Sequence, residues 1–306
     1  MRKTLVVRGV VGVLAALGTL GAFAAEPAAE KPVEKFVIRH KPREGEKLRY
    51  SLSVGGNAAW TPEQQGLSWA NVSTDFTFTL AAKALREDGT CTFGLEGEKL
   101  KTEGKTHKGS FSGTATPTRA KLRIGQVEII NPEMSPLKKP MSMTFNPRWM
   151  LIDQSGLEAI AIFFAVGVDP RFWGPLTIAP LDQVGVGDEW QAEFPWHIPD
   201  SKGQPLKIKA AAKVTGWETY RGLKCLAGTL TADLSLQDTW VTLNNGDRIR
   251  IVQGTYKAKG KVLWDVARGV LCYASAENTV AIRADKPDRR TFNGTAHTTL
   301  QLLGSE

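Results

Sequence analysis

The sequence predicts a mainly β protein: two similar antiparallel β units, with one short helix packed on a curved sheet. Three observations lead there. Apolar residues recur with a period of two through several stretches. Turn residues divide those stretches into hairpins. A strand start of glycine followed by an acid occurs twice. A period of two with one polar side is the pattern of a half-buried antiparallel strand.

Taken in chain order, Met1 to Ala24 reads as a secretory signal peptide. Arg2, Lys3 and Arg8 supply the charged start, Val10 to Leu20 the apolar stretch, and Ala22-Phe23-Ala24 the small residues of a cleavage site. That apolar stretch is shorter than the roughly 20 residues a bilayer span needs. Cleavage after Ala24 is therefore expected, giving a periplasmic or extracellular protein that is not integral to a membrane. Residues 25–35 are rich in Ala, Glu, Pro and Lys and read as a disordered lead-in.

Residues 36–155 form the first expected β unit. Phe76, Phe78, Leu80 and Ala82 alternate with Asp75, Thr77, Thr79 and Lys83, and Asp88-Gly89 turns the chain into Cys91 to Leu95. The Gly-, Ser- and Thr-rich stretch Lys101 to Thr118 reads as a flexible loop. Within residues 156–183, Gly156 to Val166 suits one buried helix ended by Gly167 and Pro170. An apolar, proline-punctuated link follows, from Phe172 to Leu181.

Residues 184–306 form the second unit. Gly187-Asp188-Glu189-Trp190 repeats the earlier Gly45-Glu46-Lys47-Leu48 start. Leu206, Ile208, Ala210, Ala212 and Val214 alternate with lysines and threonine, as do Tyr256, Ala258, Val262 and Trp264 with Lys257, Lys259 and Lys261. Turns are expected at Tyr220-Arg221-Gly222, Asn245-Gly246 and Asp265 to Gly269, and a last strand at Thr295 to Leu303.

Chemistry-bearing residues are sparse. His40, His107, His197 and His297 show no metal-ligand spacing, so no metal site is expected. Gly109-Ser110-Phe111-Ser112-Gly113 has Phe where a nucleophile elbow needs Ser. The acids Asp182, Asp188, Glu189 and Glu193 suit turns and wet strand faces better than paired catalysis. Nothing points to a cofactor or to a catalytic residue. Cys91, Cys225 and Cys272 lack redox spacing; buried thiols or one bridge with one free thiol both remain open.

The formal charge is +8, and +5 once the three signal-peptide bases are gone. That surplus is too mild, and too scattered, for a nucleic-acid partner. Lys207, Lys209 and Lys213, with Lys257, Lys259 and Lys261, would make a patch for an anionic envelope surface if their strands were neighbours; otherwise they are a solvated face that resists edge pairing. Nine tryptophans are many for this length. Trp60, Trp69, Trp173, Trp196, Trp217 and Trp240 read as lying in or beside loops, where rings can stack on sugars, while Trp190 and Trp264 read as core.

Two stretches carry a resemblance. Ala179-Pro180-Leu181-Asp182-Gln183-Val184-Gly185-Val186-Gly187-Asp188-Glu189-Trp190 is similar to a strand start in a planctomycete-type family of exported bacterial proteins of unknown function. Gly260-Lys261-Val262-Leu263-Trp264-Asp265-Val266-Ala267-Arg268-Gly269-Val270-Leu271 resembles that family's strand-Asp-turn-Gly-strand hairpin. The resemblance extends to the LolA-like lipoprotein-carrier fold, a half-barrel wrapped over a helix. It implies a concave apolar surface for a lipid or other hydrophobic, acyl-type ligand, and no catalytic residues. Phe76, Phe78, Leu80, Ile208, Val214, Tyr256 and Trp264 are then expected to line the site, with Phe163 and Phe164 from the helix. The same residues suit an ordinary core. The leading expectation is a non-catalytic binding or scaffold protein of the envelope. The alternatives are a carbohydrate-binding module and a hydrolase whose carboxylates the fold assembles.

Overall fold

The computed structural model describes residues 34–40, 42–64, 67–130, 135–149, 151–156, 183–196, 201–202, 206–243, 246–287 and 289–306. The expected helix over Gly156 to Val166, with Phe163 and Phe164, and the link from Phe172 to Leu181 lie outside them, apart from Gly156 itself. So does the expected signal peptide.

The described chain is almost entirely antiparallel β, in one large curved and unclosed sheet. Fifteen strands follow in order: β1 (Lys47–Gln64), β2 (Leu67–Leu85), β3 (Cys91–Thr106), β4 (Gly109–Thr116), β5 (Arg119–Ile124), β6 (Val127–Ile130), β7 (Met141–Phe145), β8 (Leu151–Ser155), β9 (Glu189–Trp196), β10 (Ser201–Lys202), β11 (Leu206–Tyr220), β12 (Leu223–Leu243), β13 (Arg248–Asp265), β14 (Val270–Lys286) and β15 (Arg290–Ser305). Across the sheet they run β6-β5-β4-β3-β2-β1-β15-β14-β13-β12-β11-β9. Sequential hairpins build both halves, and the pairing of β1 with β15 joins them.

β12 has 21 residues. At about 3.3 Å per residue it is about 70 Å long, against a usual five or six residues per strand. Three short strands, β7, β8 and β10, stand off the main path. β7 pairs with the first part of β3, over Cys91–Leu95, while β4 takes the later part from Leu100 to Thr106. A 3-10 turn, Pro136–Lys138, sits beside this fork and is capped by the Ser135 hydroxyl accepting from Leu137 N.

The expected hairpin turns all join paired strands in register. Asp265 shapes its own turn by accepting from the backbone of Ala267 and Arg268. Two expectations need correction. Lys101 to Thr118 is not a loop: it forms the far part of β3 and all of β4. Thr102, Gly104, Gly113 and Ala115 take the inward positions there, so the period of two is written in small and hydroxylated residues that do not register as apolar. Trp60, Trp69, Trp196, Trp217 and Trp240 likewise lie within strands. The strands run further past their apolar stretches than the alternation alone indicates.

Because residues directly opposite in a ladder share a face, the register sorts the sheet into two sides. One carries Leu52, Phe76, Leu300, Ala274, Val262, Gly228 and Val214 across seven neighbouring strands. The other carries Asp75, Thr299, Ser275, Lys261 and Lys213 on the same strands. The main core forms where the β2–β3, β11–β12 and β13–β14 turns gather, the near end of the sheet. There Tyr50, Phe78, Phe93, Met143 and Trp149 pack with Val270 and Cys272, and Ile38 and Val184 pack with Val214, Leu226 and Trp264. The Tyr50 hydroxyl donates to Leu271 O at 3.0 Å, and Trp149 Nε1 to Gly269 O at 2.7 Å.

All three cysteines are unpaired and buried here. Burial pushes the Cys91 thiol up to about 11 and raises Cys225 and Cys272 as well. Since the thiolate is the nucleophile, native protein should leave all three unreacted with a disulfide reagent at neutral pH, and urea-unfolded protein should titrate all three. One fast-reacting thiol in the native state would contradict this packing.

Candidate ligand-binding face

The apolar side of the sheet is the candidate site. Seven of the residues expected to line it fall on that side: Phe76, Phe78 and Leu80 on β2, Ile208 and Val214 on β11, and Tyr256 and Trp264 on β13. All seven are buried. They do not form one group. Phe76, Phe78 and Leu80 belong to the near-end core, Val214 and Trp264 to the cluster around Ile38, and Ile208 and Tyr256 to a third cluster with Ala210, Ala232 and Ala258.

Between these large residues runs a row that only the register reveals. Gly104, Val72, Gly56, Ala296, Asn278, Ala258, Ala232 and Ala210 sit opposite one another in turn on eight neighbouring strands. No side chain in the row is larger than valine or asparagine. The row on its near-end side holds Thr102, Thr74, Val54, Thr298, Ala276, Gly260 and Leu230. On its other side stand Ala70, Ala58, Gly294, Val280, Tyr256 and Leu234. Over Ala258 and Ala232, with Leu230 on one side and Tyr256 and Leu234 on the other, the small residues form a shallow trough across the strands, while at the far end of the row the Phe111 ring lies over Gly104.

The trough contains little polarity, and what there is has partners. Tyr256 Oη donates to Asn278 Oδ1 at 3.1 Å, and burial raises the phenol. The Thr74 and Thr102 hydroxyls bond each other at 3.0 Å. One group differs: Trp264 Nε1 is buried without a hydrogen-bond acceptor. A lone indole donor in an apolar cluster costs stability, and the sequence carries no mark of it.

A second buried polar group lies at the near end. His40 stacks on Trp149 with ring centroids 4.3 Å apart and on Phe93 at 5.4 Å. Its Nε2 lacks a hydrogen bond and lies 4.0 Å from Glu46 Oε2. Glu46 is itself held by Arg268 at 3.0 Å. Burial first, and then the Arg268 charge, lower the imidazole to about 3. Sequence reasoning set His40 aside with His107, His197 and His297, because the four are scattered and show no metal-ligand spacing.

The other expected sites stand as follows. Asp188 is paired with Lys35 and accepts from Gly185 N, and the Lys35 bond holds its carboxyl below the usual range. Glu189 pairs with Lys213 at 2.8 Å and Glu193 with Lys207 at 3.7 Å. These acids serve a turn and a wet face, and Asp182 lies outside the described residues. The two lysine strands are not neighbours. β12 separates them, placing Asp233 opposite both Lys209 and Lys257, while Lys261 pairs with Glu218 at 2.7 Å. The expected basic patch is thus interleaved with acids.

Trp240 and Trp69 are exposed, but Arg248 already covers the Trp240 ring at 4.8 Å. Lys224 does the same for Trp217 at 4.5 Å. Among the described residues no three His, Cys, Asp or Glu side chains come together as a metal site. No helix among them is long and apolar enough to cross a membrane.

No protein-family profile matches the chain, and no curated protein matches it. Three solved structures are similar in part. One is lipovitellin, described by its lipid–protein interactions, with a TM-score of 0.45 and 11% identity over 87% of this chain and 26% of that one. The chain thus spans about a quarter of lipovitellin's length. The second is DynF from the dynemicin biosynthesis pathway of Micromonospora chersina, with a TM-score of 0.22 and 8% identity over 89% and 86% of the two chains. The third is OccK2 (OpdF) of Pseudomonas aeruginosa in complex with glucuronate, with a TM-score of 0.22 and 9% identity over 84% and 98%.

Proposed function

We propose that this chain is an exported, non-catalytic envelope protein that holds an acyl chain against the apolar side of its curved sheet. The observation that carries the reading is the line of small residues from Asn278 through Ala258 and Ala232 to Ala210, with larger side chains on either side. A thin, flexible hydrocarbon lies well along a line of alanines, with Leu, Val and Tyr side chains as banks. Asn278 and Tyr256 offer a hydrogen-bonding pair at one end of that line, suited to an ester or carboxyl group. Sites of this class are mostly apolar with few polar groups. The resemblance to the lipoprotein-carrier half-barrel points the same way.

The test is native mass spectrometry of mature protein purified from its own envelope, followed by solvent extraction. A stoichiometric lipid mass is expected. The double variant Ala232→Leu/Ala258→Leu fills the trough, and its lipid content should fall about tenfold, since each buried methylene of ligand is worth about 0.8 kcal/mol. A clean apo mass for the native protein would overturn the reading.

A further inference from the structure

We infer that the β5–β6 hairpin is a docking element that seats this protein on an anionic lipid bilayer. Its turn, at Gly125 and Gln126, lies at the far end of the sheet, away from the main core. Ile124 is 56% exposed, Val127 62%, Ile129 44% and Ile130 48%. Ile124, Val127 and Ile129 share one face of the hairpin with half-buried Leu122, while Ile130, opposite Lys121, lies on the other; exposed apolar patches mark interaction surfaces. β6 is also the last strand on its side of the sheet. Edge strands are normally protected by charge or proline, whereas here three of four residues are Val or Ile.

The hairpin is amphipathic. Leu122 faces Ile129 and Ile124 faces Val127 on the apolar side of the sheet, while Arg123 faces Glu128 on the other. Phe111 lies opposite Ile124, so the exposed patch is continuous with the sheet's apolar side. On the face opposite the patch the charge is mainly positive. Arg119, Lys121 and Arg123 stand on β5 against the single acid Glu128, which Lys121 engages at 2.8 Å. The β3–β4 turn adds Lys105 and Lys108 beside it, tied to the hairpin by Gly125 N donating to Ser110 O at 2.9 Å.

An apolar face backed by a face of bases with long stems is the composition of an interfacial amphipathic element. Apolar groups enter the acyl boundary, and the bases meet anionic headgroups. A protein partner reached by strand pairing would use the backbone edge of β6, and nothing in that mode calls for the cluster of bases.

The inference needs no bound lipid and stands apart from the acyl-chain reading. Lipid-stripped mature protein is sedimented with vesicles of phosphatidylcholine mixed with phosphatidylglycerol, and with pure phosphatidylcholine vesicles. The native protein is expected to partition to the mixed vesicles, and less so at high salt. Ile124→Ser/Val127→Ser should lose about thirtyfold in partitioning, from the apolar area no longer buried. Arg119→Gln/Arg123→Gln should lose about tenfold or more on the mixed vesicles only. Both pairs are at exposed sites, so unchanged thermal melts are expected and confirm folding. Absence of partitioning by the native protein, or an Ile124→Ser/Val127→Ser variant that binds like the native protein, overturns the inference. So does a native dimer that dissociates in the same variant while vesicle binding is absent, since the patch is then an interface between copies.

Discussion

Gly269→Ala should remove about 3 to 5 kcal/mol of stability, the largest effect expected of any single methyl group in this protein. Gly269 closes the β13–β14 turn at φ +64°, a left-handed conformation that costs an alanine about 1 kcal/mol. The larger cost is steric. A Cβ built there would lie 1.7 Å from Arg39 O and 2.8 Å from His40 N. Those are backbone atoms, so no side-chain rotation relieves the contact. The segment through Ile38 must move, yet it is fixed on both sides. Phe36 and Val184 exchange both backbone hydrogen bonds at 2.8 Å, and His40 N donates to Pro147 O at 3.0 Å. Moving it uncovers Ile38 and opens the cluster with Leu226 and Trp264, and losing core contacts of that size costs several kcal/mol. Gly269 O also accepts from Trp149 Nε1. The control is Gly222→Ala, at φ +82° with no atom within 4 Å of the added Cβ. It should lose only about 1 kcal/mol. Urea midpoints of the two variants separate the steric cost from the conformational one, and equal midpoints would refute the close approach.

That turn illustrates what the amino-acid pattern does and does not disclose. Asp265 to Gly269 announces a hairpin through local turn chemistry, and the hairpin is there. The glycine's second duty, making room for a segment some 230 positions earlier, has no local signature. The same division runs through the fold. Strands such as β2 and β11 are legible because Phe76, Phe78 and Leu80, or Ile208 and Ala210, alternate with polar residues along one segment. β4 is hidden because Gly113 and Ala115, small residues, serve beside Phe111 as its inward positions. The trough is illegible for a stronger reason. Its residues come one from each strand, and no segment shows them as a line until register aligns them. Ile124, Val127, Ile129 and Ile130 carry no local mark of exposure: they are β-branched, and only their place at the sheet edge leaves them exposed.

The buried histidine yields the second large prediction, a loss of stability in acid. His40 is neutral in the folded protein down to about pH 3, because burial and then Arg268 oppose its charge. Glu46 does not rescue the charge at 4.0 Å, since Arg268 already engages that carboxylate. In the unfolded chain the imidazole titrates at its ordinary 6.5. Between those two values the unfolded state binds the extra proton, so stability falls as pH drops through that window. At about 1.4 kcal/mol per pH unit, the loss from pH 7 to pH 4 traceable to His40 is about 3 kcal/mol. Besides Glu46 and Arg268, which both proteins share, the titratable groups in the same core are Cys91 and Tyr50. Burial raises both, so neither changes charge in this range. His40→Phe keeps a flat ring against Phe93 and Trp149 and removes the titration. Urea melts of the native and variant proteins at pH 7 and pH 4 isolate the effect, because carboxylate contributions are common to both. The native protein should lose about 3 kcal/mol more than the variant on acidification. Parallel losses would mean that His40 is hydrated or charged in the folded state, and that the stacking of Phe93, His40 and Trp149 does not exclude water.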